Sequence, residues 1–492
     1  MNVLCGYNVN IDSVYRISGT EISELLDTFQ AAEILEKIEN PPGIIISESD
    51  FVAGLAYCMK EGSGAEWLVF EKSVFEFLKS RYFGKSIVRM GGNAGIMANA
   101  LSQLGASRVV PNVAVPSKTQ ISLFSKKAVY LPEASNSFKR DGGTTPEENN
   151  SNLSSSQEPI HFVFDFSEGE VFSLYGTEVK VPRENRFIAT CDHLNLRLFV
   201  SPAFEQYALQ HACEFDGVLI SGFHLLIETY PDGSTYKTIL DNTLSRLRNW
   251  KARNDKLRIH LEFGHFASKE IANSVFLRFA KLSDSLGMNE DELAIFYNLH
   301  GVPGEGLHNM EAEAIADAAF RLASRNGLKK IFIHTREFVL TVFKPNFTSN
   351  SEPDSENPVN VRTSGEVDNP ENPENPESPA LQREAGEKLE ALDFGVRCAA
   401  AYAASGRLEG REFVEEEASK LQESAFGREQ LEAFLKAFNG KTLGQGAYAF
   451  RKGYVFCILP TLLSRYPVTT VGLGDTLAAG IFLRGLELDV QT

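Results

Sequence analysis

The 492-residue chain has few cysteines, two tryptophans, no long apolar run and fewer basic than acidic residues. Its six cysteines (Cys5, Cys58, Cys191, Cys213, Cys398 and Cys457) are scattered, without the paired spacing of a zinc site or a redox dithiol. Most lie in apolar surroundings, so we expect free thiols in a reducing compartment.

The charge balance excludes a second group of functions. The 48 basic and 65 acidic residues give a net charge of −17, which argues against a nucleic-acid or anionic-membrane binder. No segment is apolar and long enough to span a bilayer, and the first residues lack a basic stretch followed by an apolar core. The sequence therefore predicts a cytoplasmic protein without nucleic-acid or membrane partners.

Short apolar runs alternate with amphipathic stretches over most of the chain, which is typical of an α/β fold with a mainly parallel sheet. The length predicts more than one folding unit, and the 43% hydrophobic residues provide enough core for it. The predicted strands are Asn2–Cys5, Val109–Val115, Gly217–Ile220, Leu257–Glu262, Ile331–His334, Phe338–Phe343 and Tyr454–Leu459. The predicted helices include Ala94–Leu104, Thr235–Asn254, Ser268–Leu286, Asn309–Arg325 and Leu392–Ala404.

The domain prediction assigns residues 1–12, 87–118 and 197–492 to a large α/β domain. Residues 13–86 and 119–196 form a smaller α+β lid domain, since their alternating apolar residues suit a separate sheet. Two polar segments interrupt this pattern, at 135–159 and 348–379, and the second contains the repeat Asn-Pro-Glu. Their low apolar content predicts flexible insertions.

The segment Gly472-Leu473-Gly474-Asp475 precedes an Ala- and Leu-rich stretch that is typical of a helix. Glycines permit close approach of the backbone to a ligand, and a helix N-terminus attracts phosphate oxygens. A carboxylate at that position suits a base that takes a proton from an attacking hydroxyl. The alternative is an ordinary N-cap, because Asp is favoured there.

Two further motifs predict a site for hydroxyl groups. Asn8, Asn10 and Asp12 alternate after the first strand, and amide and carboxylate groups on one side suit vicinal hydroxyls. Gly91-Gly92-Asn93 precedes a helix and adds a second loop whose backbone can come close to a ligand. An Asx turn and tight packing are the respective alternatives.

Two carboxylates suggest a divalent metal ion. Glu262 ends a strand after His260, and Glu292 is the last residue of the helix-opening run Asn289-Glu290-Asp291-Glu292. Oxygen ligands, direct or through water, suit Mg²⁺. A capping box between Asn289 and Glu292 explains the second motif equally well.

Together these motifs resemble those of ribokinase-like sugar kinases, and in their order those of the archaeal ADP-dependent glucokinase and phosphofructokinase family. The resemblance implies a ribokinase-like fold in which a lid covers the large domain. It also implies that Asp475 is the base, and that the amides from Gly472 through Gly474 to Asp475 bind the transferring phosphoryl group. By the same resemblance, ADP is the phosphoryl donor and Glu262 and Glu292 organise Mg²⁺. Sugar-binding residues are implied at Asn10, Asp12, Gly91, Gly92 and Asn93.

The acceptor sugar is less constrained. Arg183, Arg186 and Arg197 are candidate phosphate ligands, because a guanidinium matches phosphate geometry, and the Arg183 and Arg186 pair favours fructose 6-phosphate. Glu66 lies about where glucose-using relatives carry a carboxylate for a ring hydroxyl. We therefore expect a fructose 6-phosphate kinase, with glucose as the alternative or second acceptor. A sensor that has lost catalysis is the more remote alternative.

Overall fold

The computed structural model describes residues 1–132, 158–230, 232–299, 305–345 and 378–491. The two predicted polar insertions, 135–159 and 348–379, therefore lie almost entirely outside the described residues. None of the helices within those ranges combines the length and apolarity that a bilayer span requires.

The strands in the described ranges are β1 (Asn2–Gly6), β2 (Asn10–Arg16), β3 (Ile44–Ile45), β4 (Ala65–Val69), β5 (Ile87–Gly91), β6 (Arg108–Pro111), β7 (Ile160–Phe166), β8 (Val171–Leu174), β9 (Thr177–Lys180), β10 (Asn185–Cys191), β11 (Gly217–Ile220), β12 (Arg258–Glu262), β13 (Ser285–Asn289), β14 (Lys330–His334), β15 (Phe338–Phe343), β16 (Gln422–Glu423), β17 (Lys441–Leu443), β18 (Gly446–Arg451), β19 (Tyr454–Pro460) and β20 (Leu462–Leu463).

The helices are α1 (Gly19–Leu26), α2 (Ala31–Glu39), α3 (Glu48–Glu61), α4 (Lys72–Tyr82), α5 (Asn93–Gln103), α6 (Lys118–Ser122), α7 (Pro202–Gln210), α8 (Tyr236–Arg253), α9 (Lys269–Phe279), α10 (Glu290–Leu299), α11 (Glu305–His308), α12 (Ala312–Asn326), α13 (Pro379–Ser405), α14 (Arg411–Ser419), α15 (Ala425–Phe438) and α16 (Leu473–Gln491).

The larger sheet has ten strands in the order β17-β18-β19-β15-β14-β13-β12-β11-β1-β6. The six strands from β6 to β14 are parallel, and β15, β19, β18 and β17 continue the sheet antiparallel. Central strands such as β11 and β15 are buried along their whole length, which explains their continuous apolar runs. Helices cover the sheet on both faces, as predicted for the α/β fold class.

The smaller sheet has six strands in the order β3-β4-β10-β7-β2-β5, with mixed parallel and antiparallel pairing. One face packs on α1 to α4 through a separate aromatic core, in which Phe51 lies between Phe164, Phe187 and Tyr82. The smaller sheet and its helices therefore have a hydrophobic core of their own.

Three details differ from the sequence interpretation. Strand β13 lies partly inside the predicted helix 268–286, which ends at Phe279 in the structure. Strand β5, assigned by sequence to the large domain, pairs with β2 in the smaller sheet. Phe124 and Leu131, assigned to the lid, pack in the core of the larger sheet against residues such as Val109. Our proposed domain bounds therefore move β5 to the lid and the segment around α6 to the large domain.

The topology brings the predicted motifs to one edge of the larger sheet. Parallel strands end together, so the residues after β1, β11, β12, β13 and β14 lie side by side. Ligands of open α/β sheets bind at this edge. The N-terminus of α16 and that of α5 reach the same edge, since Asn93 contacts Asp475.

Candidate active site

Two glycines at the start of α16 allow close packing of the backbone against neighbouring side chains. Gly472 has a φ of +75°, and a Cβ there would lie 3.0 Å from Ile96. A Cβ at Gly474 would lie 3.1 Å from the His334 ring. The first N–H groups of a helix have no acceptor within it, and the first bond here runs from the amide of Thr476 to the Gly472 carbonyl. The turn can therefore present its amides to an anion at close range.

Asp475 is buried in the first turn of α16, with 9% of its surface exposed. Its Oδ1 accepts a hydrogen bond from Asn93 Nδ2 at 2.7 Å, and Asn93 Oδ1 accepts one from Asn8 Nδ2 at 3.2 Å. Burial raises the pKa of Asp475 to about 6, against the lowering effect of the Asn93 hydrogen bond. The carboxylate is thus oriented and poised to exchange a proton near neutral pH.

Glu262 ends β12 between two histidines. Its Oε2 lies 3.0 Å from His260 Nε2, and its Oε1 lies 3.0 Å from His334 Nε2. Burial alone would raise the pKa of Glu262, but these two hydrogen bonds hold it below its usual value. Gly287 on the adjacent strand is required here, because a Cβ would lie 2.0 Å from Glu262 Oε2. The carboxylate is therefore fixed in its charged form.

Glu292 has the capping role that its sequence suggested, and it also faces a cavity. It forms a reciprocal capping box with Asn289, with bonds of 2.9 and 2.8 Å. It also lines the same cavity as Glu262 and Asp475. Burial raises the pKa of Glu292 to about 7, and the negative charges of Glu262 and Asp475 add to this. Within the described residues no group of three His, Cys, Asp or Glu side chains is arranged as a direct metal site.

A cavity of about 770 Å³ opens in front of α16. Its lining includes the polar groups Asn93, Glu262, Glu292 and Asp475 and the cations Arg336 and Arg465. It also includes an apolar wall of small and aliphatic side chains from α13, β20 and the loop before Gly472. These are Val396, Ala399, Ala400, Ala403, Leu462, Leu463 and Pro467. A ligand that combines a flat apolar group with anionic groups matches this lining.

A second cavity, of about 240 Å³, lies between the two sheets. It brings together most of the predicted sugar-binding residues, and three residues line both cavities. The predicted residues in the second cavity are Asn10, Asp12, Glu66, Gly92, Asn93, Arg186, Gly472 and Asp475. The shared residues are Asn93, Gly472 and Asp475. Asp475 therefore stands where the contents of the two cavities meet.

Gly91 has a packing role in this structure. A Cβ at Gly91 would lie 2.1 Å from Asp12 Oδ1, so the missing side chain makes room for that carboxylate. Asp12 Oδ1 also accepts a hydrogen bond from Asn10 Nδ2 at 2.8 Å. Burial raises the pKa of Asp12, while the charges of His161 and Arg89 lower it. Gly91 thus shapes the cavity without lining it.

Two of the three predicted arginines lie away from both cavities. Arg183 donates to the carbonyl oxygen of Gly62 at 3.2 and 3.3 Å. Arg197 pairs with Asp232 at 2.9 Å and lies over the ring of Tyr230. Arg186 alone of the three lines the second cavity, where its Nε is 3.6 Å from Asp165 Oδ1.

Two cations in the second cavity were not predicted from the sequence. Arg89 precedes the Gly91-Gly92 loop, and its Nε has no hydrogen-bond partner among the described residues. His161 lies 3.2 Å from Asp192 and 3.9 Å from Glu66. Burial would lower the pKa of His161, but the bond to Asp192 and the neighbouring carboxylates raise it to about 9. A histidine within the apolar run of β7 was the available signal.

Comparison with known proteins extends over nearly the whole chain. The model of a family described as the ADP-specific phosphofructokinase/glucokinase conserved region matches residues 1–356 and 380–484. An ADP-specific phosphofructokinase of Methanosarcina acetivorans is 27% identical over 97% of this chain and 91% of its own length. An ADP-dependent glucose/glucosamine kinase of Pyrococcus furiosus is also 27% identical, over 98% and 93% of the two chains.

A solved structure has the same fold. It is that of a protein described as a hypothetical ADP-dependent phosphofructokinase from Pyrococcus horikoshii, with a TM-score of 0.78 and 22% identity. The alignment covers 100% of this chain and 99% of the other.

Proposed function

Since the chain belongs to the ADP-specific phosphofructokinase/glucokinase family, we propose that it transfers the β-phosphate of ADP to fructose 6-phosphate. The products are fructose 1,6-bisphosphate and AMP. The position of Asp475 carries the proposal, because this carboxylate lines both cavities and is oriented by Asn93. ADP occupies the larger cavity and the sugar occupies the smaller one.

Asp475 accepts the proton of the sugar hydroxyl as that oxygen attacks the β-phosphorus. The bond from the β-phosphorus to the oxygen shared with the α-phosphate breaks, and AMP leaves with the electron pair. The amides of the Gly472-to-Asp475 turn face the charge on the transferring group, where aligned donors are most effective. The apolar wall formed by α13 and β20 is suited to the adenine ring.

The residues of the site fit Mg²⁺ held partly through water. The charge of Glu262 raises the pKa of both Glu292 and Asp475, so a divalent cation would offset a local excess of negative charge. Magnesium usually retains several waters and takes few protein oxygens. When bound, the ion would neutralise phosphate oxygens, and Glu262 and Glu292 would hold it.

Cations in the smaller cavity support a phosphorylated acceptor. Arg89, Arg186 and His161 all line it, and each can pair with a phosphate group. Glu66 in the same cavity favours glucose as a second acceptor, since a carboxylate is a partner for a ring hydroxyl. Its Oε1 already accepts a hydrogen bond from Thr190 at 2.6 Å. We propose fructose 6-phosphate first, because three cations of this cavity can pair with its phosphate group, whereas Glu66 is the one residue that we take to favour glucose.

A donor-by-acceptor assay tests the proposal. The purified chain is supplied with ADP or ATP and with fructose 6-phosphate or glucose, with Mg²⁺, and AMP and sugar phosphates are measured. We expect AMP with ADP and fructose 6-phosphate at the highest kcat/KM. Binding of ADP without AMP formation from either sugar would contradict the proposal and support the sensor alternative. A cytoplasmic location is also a prediction, and cell fractionation tests it.

A further inference from the structure

A cluster of cations lies at the opposite edge of the larger sheet from the proposed active site. Arg258 and Lys330 begin β12 and β14, while Glu262 and His334 end the same strands at the active site. Together with Lys329, Lys344 and Lys388, these cations line a cavity of about 100 Å³. A cluster of this kind is unexpected in a chain with a net charge of −17.

The carboxylates in the cavity do not balance these cations. Five cations and three carboxylates line it, which leaves an excess of two positive charges. Asp284 is within 4 Å of Lys329, Arg258 and the neighbouring Lys251. Asp489 lies 3.3 Å from Arg258 and 3.7 Å from Lys388. Glu384, the third carboxylate, also interacts with a partner.

These pairs leave two cations of the cavity over, the exposed Lys344 and the half-buried Lys330. Lys330 forms no hydrogen bond or ion pair of its side chain within the described ranges, and the apolar residues Phe343, Phe482 and Leu486 line the cavity with it. Burial lowers the pKa of Lys330 to about 8, and the charge of Lys388 adds to this. A bound anion would remove the repulsion between these two ammonium groups and compensate for their desolvation.

We propose that this cavity binds a phosphate-sized tetrahedral dianion, with Lys330 and Lys388 as its main ligands. The volume of about 100 Å³ accommodates one phosphate or sulfate group and is too small for a whole nucleotide. Ammonium groups are established phosphate ligands, and their hydrogen bonds to an anion are charge-assisted. The site is separate from the proposed active site and does not depend on the proposed reaction.

Calorimetric titration with inorganic phosphate tests the site, using the full chain and its Lys330→Met, Lys388→Met and Lys436→Met variants. Lys436, exposed on α15, is the matched control. We expect one saturable event in the wild type and the control that is weakened roughly tenfold or more in both cavity variants. Binding of phosphate in the active site would be common to all four proteins and cancels in the comparison.

Additional titrations sharpen the result. Sulfate should compete with phosphate, while chloride at equal ionic strength should not, because it lacks the tetrahedral set of acceptors. The Lys330→Arg variant should retain binding, which separates loss of charge from a general disturbance of the fold. Equal phosphate affinity in wild type and Lys330→Met, or no saturable event in the wild type, would overturn the proposal.

Discussion

Asn93 Nδ2 lies 2.7 Å from Asp475 Oδ1, and this hydrogen bond joins the first residue of α5 to the first turn of α16. Asn93 is itself held by Asn8 at 3.2 Å. The bond orients the proposed base and also stabilises its charged form. The proposed proton transfer therefore depends on this pair and on the two cavities that meet beside it.

The pH dependence of kcat should report on Asp475. The pKa of this carboxyl is raised by burial to about 6, so the base is protonated and inactive at lower pH and charged above it. We expect kcat to rise with pH through about 6. In Asn93→Ala the stabilising hydrogen bond is lost, so the acidic limb should move to higher pH and kcat should fall roughly tenfold or more.

The control for this profile is Asn99→Ala, on the same helix, where the amide bonds to backbone groups of Leu123 and Ser125. Its acidic limb should coincide with that of the wild type. An Asn93→Ala profile that also coincides would contradict the positioning role.

Asp475→Asn should stabilise the fold at neutral pH. The pKa of Asp475 rises from its ordinary value of 3.8 to about 6 in the folded chain, so keeping the group charged costs about 3 kcal/mol above pH 6. That cost is absent below the unfolded pKa and grows as pH rises between the two values. Urea unfolding should therefore show a gain of up to about this size at pH 8 and a much smaller gain near pH 4. A loss of stability at pH 8 would contradict this electrostatic explanation.

Arg186→Ala should weaken the binding of fructose 6-phosphate more than the binding of glucose. Losing a charge-assisted bond to the sugar phosphate typically costs about 1.5–3 kcal/mol, which corresponds to a rise in KM of roughly ten- to a hundredfold. Arg183→Ala is a matched control, because that guanidinium donates to the Gly62 carbonyl outside the cavity. Equal effects of the two variants on KM for both sugars would exclude a specific role for Arg186.

Glu292→Gln should raise the Mg²⁺ concentration required for activity by about ten- to a hundredfold. The amide oxygen of Gln can still accept the Asn289 amide, so the helix cap should persist. The melting temperature should therefore not fall, and above pH 7 it should rise, because burial raises the pKa of Glu292 to about 7 and the variant lacks that buried charge. Asp291→Asn is the control, since its side chain is 66% exposed and pairs with His308. An unchanged Mg²⁺ requirement in Glu292→Gln would leave only the capping role.

The strand-end motifs and most of the parallel strands could be predicted from local sequence. The strands show in the pattern of apolar residues, and the motifs show as polar residues at the ends of those strands. Glu262 ends a segment of alternating apolar residues, and Asp475 follows two glycines at the start of a helix, so local sequence identifies both. Glu292 illustrates the limit of this method. Its capping and cavity-lining roles use the same residue, and only the tertiary structure shows that both occur together.

Other features depend on distant parts of the chain. Local sequence did not separate the start of strand β13 from the end of the preceding helix, where Ser283, Asp284 and Ser285 interrupt the apolar pattern. Asp284 pairs with Lys329, which lies far away in the sequence. Arg183 and Arg197 carry the same charge as Arg186, and local sequence does not reveal their partners Gly62 and Asp232. The pKa of His161 is raised by its bond to Asp192, which lies some thirty residues later in the chain.

The most direct test of the proposed mechanism is a single-turnover measurement of AMP formation from ADP and fructose 6-phosphate by wild type and Asp475→Asn. We predict a fall in rate on the order of 10² to 10⁴, with ADP affinity and the folded structure retained. A near-normal rate in the variant would contradict the role of Asp475 as base.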